Sequence, residues 1–248
     1  MFRMGKMRAS VERILDGLEA SAAPDACGDA VGPVLADLGF SALHYVCVDL
    51  PLDGEAEPLV VTSLGDSWRQ TYLESGAYRD DVILTRCIRS VLPVRWDANG
   101  GGTGLSEREA EVLRLMAEAG LAVGAAIPVH APGGRFAAFC AALDGAPADL
   151  DGLLADTEPM LLFIAARFHD AVQRSRPPSP VAGVSLTARE GECLQWAAQG
   201  KTSWETAMIL DVAEVTVNFH LKNVMKKLGV ANRVHAVARA VAFGLIEP

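Results

Sequence analysis

The chain has 248 residues, of which 50% are hydrophobic, and it carries a formal net charge of −9 at pH 7. This length accommodates two domains with separate cores, and this composition is typical of a globular protein rather than a disordered one. The negative charge would disfavour a nucleic-acid partner if it were spread evenly along the chain. Residues 184–248, however, contain seven Lys/Arg and six Asp/Glu, a charge of +1, which leaves −10 for residues 1–183. The C-terminal part can therefore still approach a polyanion through local basic residues.

The cysteines and the apolar segments narrow the class of protein further. Five cysteines are present, an odd number without any CxxC or metal-binding spacing, which predicts buried and reduced thiols with a structural role. No stretch approaches the roughly 20 apolar residues that a membrane-spanning helix needs. The basic N-terminal segment is not followed by the apolar core of a signal peptide. We therefore expect a cytoplasmic protein that needs no metal and no cofactor.

The first 173 residues alternate between helix and strand patterns. In chain order, they predict a helix over 7–20, strands over 40–50 and 59–64, and helices over 67–75, 80–91 and 106–119. Two further strands, 122–130 and 135–143, flank a turn at 131–134. A last helix, 148–173, contains Pro159, which permits a division into two segments. Strands joined by so short a turn are antiparallel, so we predict an α-β-α sandwich, an antiparallel sheet with helices on its faces.

A segment with three prolines, residues 174–183, then interrupts both helix and strand patterns. It is predicted to be an extended, semi-stiff linker. Beyond it, the apolar spacing predicts helices over 189–199, 203–210, 214–228 and 233–243. The sequence thus predicts an α+β protein with a sandwich domain at 1–173, a linker at 174–183 and an all-α domain at 184–248.

Capping residues mark the ends of the C-terminal helices. Thr187 and Glu190 have the spacing of a capping box at the first helix, and Gly200 suits a left-handed residue after its end. Gly229 is placed to end the third helix, and Asn232 is placed to cap the fourth. These signals make the helix boundaries of this domain the best defined in the chain.

The third helix of this domain has two faces of opposite character. Its apolar residues recur at spacings of three and four, as in a helix packed on a core: Val217, Leu221, Val224 and Leu228. Its other face presents hydrogen-bond donors and cations: Asn218, His220, Lys222 and Lys226. This combination is typical of a recognition helix, one side of which packs on a small core while the other enters the major groove of DNA.

The segment 186–246 as a whole resembles the DNA-binding domain of LuxR-type transcription factors, a four-helix helix-turn-helix domain. Glu190, Leu194 and Gly200 match three positions that this family holds most firmly. The resemblance implies that Asn218 and Lys222 reach base edges, where Asn can pair with adenine and Lys with guanine. It implies contacts with the DNA backbone for five further residues: Lys201, Thr202, Thr216, His220 and Lys226. The implied partners are double-stranded DNA and a second copy of the chain, and RNA polymerase is compatible with the same resemblance.

Two departures from the family pattern indicate a DNA-binding domain of modest stability. Ala213 stands where most members have a Ser or Thr cap, which costs about 1 kcal/mol. Thr206 stands where an apolar residue is usual. A similar helix pattern at 105–120 is followed by strand-like residues, so it is predicted to be a similarly capped helix and not a second DNA-binding unit.

Four residues at fixed spacing stand out in the first domain: Trp68-x3-Tyr72-x8-Asp81-x14-Trp96, with the segments SVLPVRW at 90–96 and AGLAVG at 119–124. This pattern looks like the autoinducer-binding domain of the same family, which binds N-acyl-homoserine lactones. The resemblance implies that Trp68 donates its indole N–H to the lactone carbonyl, Asp81 accepts the amide N–H, and Trp96 packs on the ring. Tyr72 would donate to the amide carbonyl or close the pocket over the chain. Taken singly, the aromatic residues are more typical of a core, and Asp81 is more typical of a helix N-cap.

Nearby substitutions predict that this pocket is more apolar than in many members of the family. Leu64 stands where many members have Tyr, Val82 where Pro is common, Ile83 where some have Thr, and Cys140 where a Ser or Thr often faces the amide. We therefore expect an acyl chain without a 3-oxo group. Further residues are candidates for the wall around that chain: Val112, Leu113, Met116, Val129 and Phe139.

Three other functions compete with this interpretation. A phosphorylated response regulator with the same DNA-binding domain needs a lysine late in its receiver domain. Lys6 is the only lysine in residues 1–183, so that alternative fails. A LuxR-family regulator that is independent of ligand, or that senses another small molecule, stays open. An enzyme is disfavoured because no Ser/Cys–His–Asp spacing is evident, and His44 and His130 are isolated, as core or surface histidines are.

Overall fold

The computed structural model describes residues 2–49, 57–98, 104–131, 135–147, 149–176 and 184–246. The chain divides into two compact units. The larger unit comprises residues 1–130 and 135–176, and the smaller one includes residues 177–248. Each unit is described by itself below.

The larger unit is built on a five-stranded antiparallel sheet. Its strands are β1 (Ala42–Asp49), β2 (Leu59–Thr62), β3 (Val94–Asp97), β4 (Val123–Ala131) and β5 (Arg135–Leu143), in the order β2-β1-β5-β4-β3. The central pair, β1 and β5, is aligned over eight residue pairs from Ala42↔Ala142 to Asp49↔Arg135. Because successive side chains of a strand point to opposite faces, each strand contributes to two separate layers of packing.

Helices cover both faces of this sheet and give two hydrophobic cores. Helices α1 (Phe2–Ala20), α2 (Pro24–Asp37) and α6 (Leu150–Ser175) pack on one face, with core residues such as Tyr45 and Phe139. Helices α3 (Asp66–Glu74), α4 (Val82–Ile88) and α5 (Glu107–Glu118) pack on the other, with Val46 and Phe136. A single 3-10 turn, Ala77–Arg79, lies between α3 and α4. The predicted α-β-α sandwich with an antiparallel sheet is confirmed.

Several elements differ from the sequence prediction. Helix α2 and strand β3 were not predicted, and α4 is shorter than the predicted 80–91 because a 3-10 turn precedes it. Helix α6 is continuous through Pro159, since buried residues on both sides of the proline, Leu154 and Leu161, hold its two halves on the same face of the sheet. Most of the predicted turn at 131–134 and of the predicted linker at 174–183 lies outside the described residues.

The smaller unit is a bundle of four helices: α7 (Ala188–Ala198), α8 (Ser203–Leu210), α9 (Glu214–Leu228) and α10 (Arg233–Ala242). Its core contains the four predicted apolar residues of α9 together with Cys193, Leu194 and Ala236. The predicted capping box of Thr187 and Glu190 is present, and Gly200 and Gly229 have positive φ angles of 80° and 65°. The four helices and their boundaries therefore agree with the sequence prediction.

Three further findings concern both units of the chain. All five cysteines are buried and free. Within the described ranges, no helix is both long enough and apolar enough to cross a membrane. The same residues hold no group of three or more His, Cys, Asp or Glu side chains that could bind a metal ion.

Candidate functional site

The four residues singled out in the first domain lie together on one face of the sheet, with His44 among them. Trp68 and Tyr72 occupy successive turns of α3, Asp81 precedes α4, and Trp96 lies on β3. All of them are at most 7% exposed, and His44 is fully buried. We call these five residues, His44, Trp68, Tyr72, Asp81 and Trp96, the aromatic–carboxylate cluster.

Asp81 is held by three hydrogen bonds. Its Oδ1 atom accepts the backbone N–H groups of Ile83 (2.8 Å) and Leu84 (3.1 Å), which makes it the N-cap of α4. Its Oδ2 atom accepts the hydroxyl of Tyr72 at 2.7 Å. Burial raises the pKa of Asp81, although the three donors oppose that shift. The carboxylate is therefore a fixed acceptor in an apolar setting, and it is a helix cap and a candidate ligand contact at once.

The two tryptophans differ in how firmly their N–H groups are bound. The indole of Trp96 donates to the carbonyl of Leu121 at 2.9 Å, and its ring lies against the backbone of Gly124, where a Cβ would come within 2.6 Å of the ring. The indole of Trp68 donates to Nδ1 of His44 over 3.4 Å, a long hydrogen bond. Trp68 therefore has the more available donor, whereas Trp96 is fixed as a wall of the cluster.

His44 is the cluster member that sequence reasoning missed. It lies on β1 opposite Thr62 of β2 and Cys140 of β5, and its ring meets that of Tyr72 edge to face, with centroids 4.8 Å apart. Burial lowers the pKa of His44 to about 3, so the imidazole is neutral. The alternation of β1 could have predicted its place, because His44 is two residues from both Ala42 and Val46 and so lies on the same face of the sheet as they do.

Most of the predicted wall residues share the core of the cluster. Val112, Met116, Ile83 and Cys140 are buried in that core, and Leu64 and Leu113 pack against it half-buried. Val129 and Phe139 are different. They belong to the core on the opposite face of the sheet, so predicting them as part of this wall was wrong. The physical reason is strand alternation, because Phe139 and Cys140 are consecutive residues and cannot both face one layer.

In the smaller unit, the predicted base-contacting residues form an exposed strip on α9. Asn218, Lys222 and Lys226 are exposed, and His220 and Thr216 are half-buried. The amide oxygen of Asn218 accepts the hydroxyl of Ser203 at 2.7 Å, which ties the recognition helix to α8. Within the described part of the chain, Lys222 and Lys226 form no ion pair, whereas the neighbouring Lys227 is used internally.

Two of the predicted backbone-contacting residues lie where α8 begins. Thr202 is exposed and forms a capping box with Glu205. Lys201 is half-buried, and its carbonyl accepts a guanidinium hydrogen of Arg233. The N-terminus of a helix favours negative charge, so this end of α8 is suited to a phosphate group.

An ion pair joins the first and third helices of this unit. Glu190, whose side chain is 5% exposed, accepts the ammonium group of Lys227 at 2.6 Å and the backbone N–H of Thr187 at 2.8 Å. Burial alone would raise the pKa of Glu190, but the hydrogen bonds from Lys227 and Thr187 lower it overall. Ala213, the N-cap residue of α9, makes no side-chain hydrogen bond, as the alanine at this position predicts.

Sequence comparisons match both units to known families. The autoinducer binding domain matches residues 23–172, and the domain of the bacterial regulatory proteins of the luxR family matches residues 184–240. The transcriptional activator protein VanR of Vibrio anguillarum is 37% identical over 198 residues, which cover 78% of this chain and 79% of VanR. The transcriptional activator protein BjaR1 of Bradyrhizobium diazoefficiens is 30% identical over 225 residues, which cover 91% of this chain and 90% of BjaR1.

Structural comparisons agree on the fold. The crystal structure of Escherichia coli SdiA has a TM-score of 0.74 at 20% identity, covering 99% of each chain. The N-acylhomoserine lactone dependent factor CepR2 of Burkholderia cenocepacia has a TM-score of 0.58 at 20% identity, covering 68% of this chain and 97% of CepR2. At such identities, these structures establish the architecture alone.

Together, these observations define a transcriptional regulator that joins a small-molecule-binding domain to a helix-turn-helix DNA-binding domain, and not an enzyme. The chain belongs to the LuxR family of quorum-sensing transcriptional regulators. The family resemblance inferred from the sequence is thereby confirmed.

Proposed function

We propose that this regulator binds an N-acyl-homoserine lactone at the aromatic–carboxylate cluster and, as a homodimer, binds a twofold-symmetric DNA site through α9. The observation that carries the proposal is the Asp81 carboxylate, 2% exposed and hydrogen-bonded to Tyr72 beside Trp68. A buried carboxylate is costly unless donors surround it, so its retention in an apolar core favours a binding role.

The chemistry of the cluster suits the polar end of such a ligand. Tyr72 can turn its single hydroxyl proton from Asp81 to the amide carbonyl of the ligand, and Asp81 then accepts the amide N–H in its place. Trp68 can give up its hydrogen bond to His44 and donate to the lactone carbonyl instead, since a hydrogen bond of 3.4 Å is weak. The ring of Trp96 offers a flat apolar wall to the lactone. Each such hydrogen bond contributes about 1 kcal/mol net, and one to a carboxylate contributes more.

The apolar residues around the cluster suit an acyl chain. This face of the sheet has four alanines, which offer little side-chain bulk: Ala42, Ala126, Ala138 and Ala142. Helix α5 faces them with Val112 and Met116. Burial of an acyl chain contributes about 0.8 kcal/mol for each CH₂ group. A chain of several carbons therefore adds more to affinity than the headgroup does.

The electrostatics of the DNA-binding domain support the proposed dimer. A charge of +1 over residues 184–248 supports only weak binding by a single copy. Two copies present two α9 helices, which fit half-sites about one helical turn or a multiple of it apart. In the proposed complex, Asn218 and Lys222 contact base edges, whereas Lys226 and the N-terminus of α8 contact the DNA backbone.

The ligand half of the proposal is tested with the full-length chain co-expressed with a panel of acyl-homoserine lactones and with octanoyl glycerol, the ligand of a solved SdiA complex. Soluble yield and thermal shift are measured for each compound. A cognate lactone should stabilise the chain by several kcal/mol at large excess over its Kd. Asp81→Asn, which can still cap α4, should weaken lactone binding at least tenfold, since a hydrogen bond to a carboxylate is lost.

Asp80→Asn is the matched control, because Asp80 is the adjacent carboxylate and pairs with Arg108 outside the cluster. It should leave lactone binding unchanged. If yield and stability are the same with every lactone, the proposal fails. The alternative regulator, which is independent of ligand or senses another small molecule, then stands. The internal pairing of Tyr72 with Asp81 and of Trp68 with His44 favours that alternative, because the cluster is largely satisfied without a ligand.

The DNA half is tested by binding to a symmetric promoter site over a range of salt concentrations. Lys226→Ala should reduce the salt slope by about 0.9 for each lost phosphate contact, hence by about 2 for a dimer, and equally for all sequences. Asn218→Ala and Lys222→Ala should instead relax base preference, by about 1–3 kcal/mol at the contacted pair. Arg189→Ala, an exposed change on α7, serves as the control and should alter neither quantity.

A further inference from the structure

One buried polar atom of the cluster has no partner. Among the described residues, the buried side-chain nitrogen and oxygen atoms without a hydrogen bond are Nε2 of His44, Nε of Arg69 and Nε2 of His169. Arg69 binds Asp25 at the surface through its other nitrogens, and His169 lies on the opposite face of the sheet beside Tyr45. The Nε2 atom of His44 is therefore the unpartnered atom that belongs to the ligand-binding layer.

The hydrogen bond from Trp68, although long, favours one position for the proton of His44. An indole N–H can only donate, so Nδ1 of His44 must be the acceptor. Since burial keeps the imidazole neutral, its single proton lies on Nε2. His44 thus presents a buried N–H donor, which natural cores rarely leave unsatisfied.

None of the neighbouring groups that the structure describes accepts this proton. Both oxygens of Asp81 are already bound by Tyr72 and by the start of α4. Thr62, opposite His44 on β2, donates its hydroxyl to the carbonyl of Leu43, and Cys140 on β5 offers only a weak sulfur acceptor. The contact with Tyr72 is edge-to-face ring packing. Nε2 is therefore free to donate to an acceptor that a ligand supplies.

We infer that His44 is a specificity-determining residue whose Nε2–H binds an oxygen on the acyl part of the ligand, so that the pocket selects lactones with a 3-oxo group. This inference rests on the proposed function. The headgroup has its own partners in Asp81, Tyr72 and Trp68, which leaves the acyl part for His44. Once Trp68 donates to the lactone instead, the ligand oxygen that accepts from Nε2 keeps the proton of His44 on that nitrogen. His44 and Asp81 both contact Tyr72, and the 3-oxo oxygen of such a ligand lies close to its amide along the acyl chain.

The inference reverses the expectation drawn from the sequence. Leu64, Ile83 and Cys140 stand where other members of the family often have Tyr, Thr or Ser, and from this we predicted a ligand without the 3-oxo group. His44 returns a donor from β1, and the sheet register places it directly beside Cys140. A neutral imidazole suits a carbonyl oxygen, which is itself uncharged and needs no counter-ion.

The test measures the Kd of the full-length chain for N-octanoyl- and N-(3-oxooctanoyl)-homoserine lactone, and for the same pair with twelve-carbon chains. The wild type should bind each 3-oxo form roughly tenfold more tightly than its unsubstituted counterpart. Two variants separate the ring nitrogens. His44→Gln places an amide N–H near the position of Nε2 and should keep much of the preference. His44→Asn places its amide near Nδ1, where it can still accept from Trp68, and should lose the preference.

Each outcome decides the question. If the wild type binds the lactones without preferring the 3-oxo forms, the inference fails while the proposed function stands. If His44→Asn weakens both members of a pair equally, His44 has a structural role only and the inference also fails. If no lactone binds the wild type at all, the proposed function fails and this inference fails with it. Should a variant not fold, the preference of the wild type still decides between the first outcome and the expected one.

Discussion

Asp81 combines two roles that usually belong to different residues. One oxygen caps α4 and the other accepts from Tyr72, and in our proposal the same carboxylate also accepts the amide N–H of the ligand. Burial raises the pKa of Asp81, and the Tyr72 hydroxyl is among the groups that oppose this rise. The ionised form therefore depends on Tyr72.

Tyr72→Phe should destabilise the larger unit by about 1–2 kcal/mol at pH 7, because the buried carboxylate loses a donor. A carboxyl whose pKa is raised on folding costs stability as pH increases through the window between its ordinary and its raised pKa. The variant raises that pKa further, so its deficit relative to the wild type should grow with pH and shrink in acid. Urea unfolding at several pH values measures this. Tyr78→Phe is the control, since Tyr78 is buried against Arg79 and its hydroxyl has no hydrogen bond within the described residues.

Gly124 is constrained by contact rather than by backbone angle. A Cβ there would lie 2.3 Å from the carbonyl oxygen of Ala141 and 2.6 Å from the ring of Trp96. Gly124→Ala should therefore destabilise the chain by about 3 kcal/mol or more, because a backbone atom of β5 cannot move aside cheaply. Gly191→Ala in α7 meets no atom within 4 Å and should stabilise by about 0.5–1 kcal/mol. Thermal unfolding of the two variants compares the same chemical change in opposite settings, and similar losses in both would contradict this account.

At the scale of elements, the helices differ in how well their first turns are satisfied. Helices α5, α7 and α8 each begin with a complete capping box, formed by Ser106, Thr187 and Thr202 with the glutamate three residues later. Helix α9, which reads the DNA in our proposal, has no side-chain cap at Ala213. Among the described helices of the smaller unit, the recognition helix is thus the one that begins without a side-chain cap.

Ala213→Ser should stabilise the smaller unit by about 1 kcal/mol. The backbone at this position is already extended, with φ −73° and ψ 145°, as an N-cap requires, so the serine oxygen can accept an N–H of the first turn without rearrangement. Peptide-resolved hydrogen exchange on the full chain should show slower exchange at the start of α9. Ala213→Gly keeps the backbone geometry without the oxygen, and an equal gain from it would rule out capping as the cause.

Glu190→Gln tests the ion pair between α7 and α9. Glutamine preserves the capping box but not the charge, so the variant should lose about 1 kcal/mol at pH 7. The pKa of Glu190 is lowered in the folded chain, so its contribution is present above the ordinary glutamate pKa and is lost as pH falls through the lowered value. The difference between variant and wild type should therefore vanish in acid. Arg189→Gln, which disrupts an exposed pair with Glu192, should change little at any pH.

The sequence predicts elements with strong local signals and fails where tertiary contacts override them. The four C-terminal helices have caps and a clear apolar period, and their boundaries agree within about one residue of the structure. Helix α2 contains Gly28, Gly32 and Pro33, which disfavour a helix, yet burial of Cys27 and Val31 stabilises it. The alternation of β1 predicts the face on which His44 lies, but its partners Trp68 and Tyr72 come from another element, and no local pattern in one sequence reveals them.

At the scale of the whole molecule, charge and function are separated along the chain. The acidic excess lies in residues 1–183, and the exposed lysines of α9 lie in the part with a charge of +1. DNA is therefore attracted to one end of the chain and repelled by the rest, which orients an approaching duplex. A small ligand that binds only the larger unit cannot alter this local attraction. In our proposal, it acts through assembly and through the stability of the fold.

The alternation of β1 and β5 has a consequence for how such a regulator evolves. In both strands, even-numbered residues such as His44 and Cys140 face the ligand layer, while odd-numbered residues such as Tyr45 and Phe139 face the core of α1, α2 and α6. In our proposal, the even-numbered residues shape the contacts with the signal, and the odd-numbered residues hold the scaffold together. Single substitutions at every second position should therefore alter the response to a ligand while the framework stays intact, which gives a simple route by which the specificity of such a regulator can change.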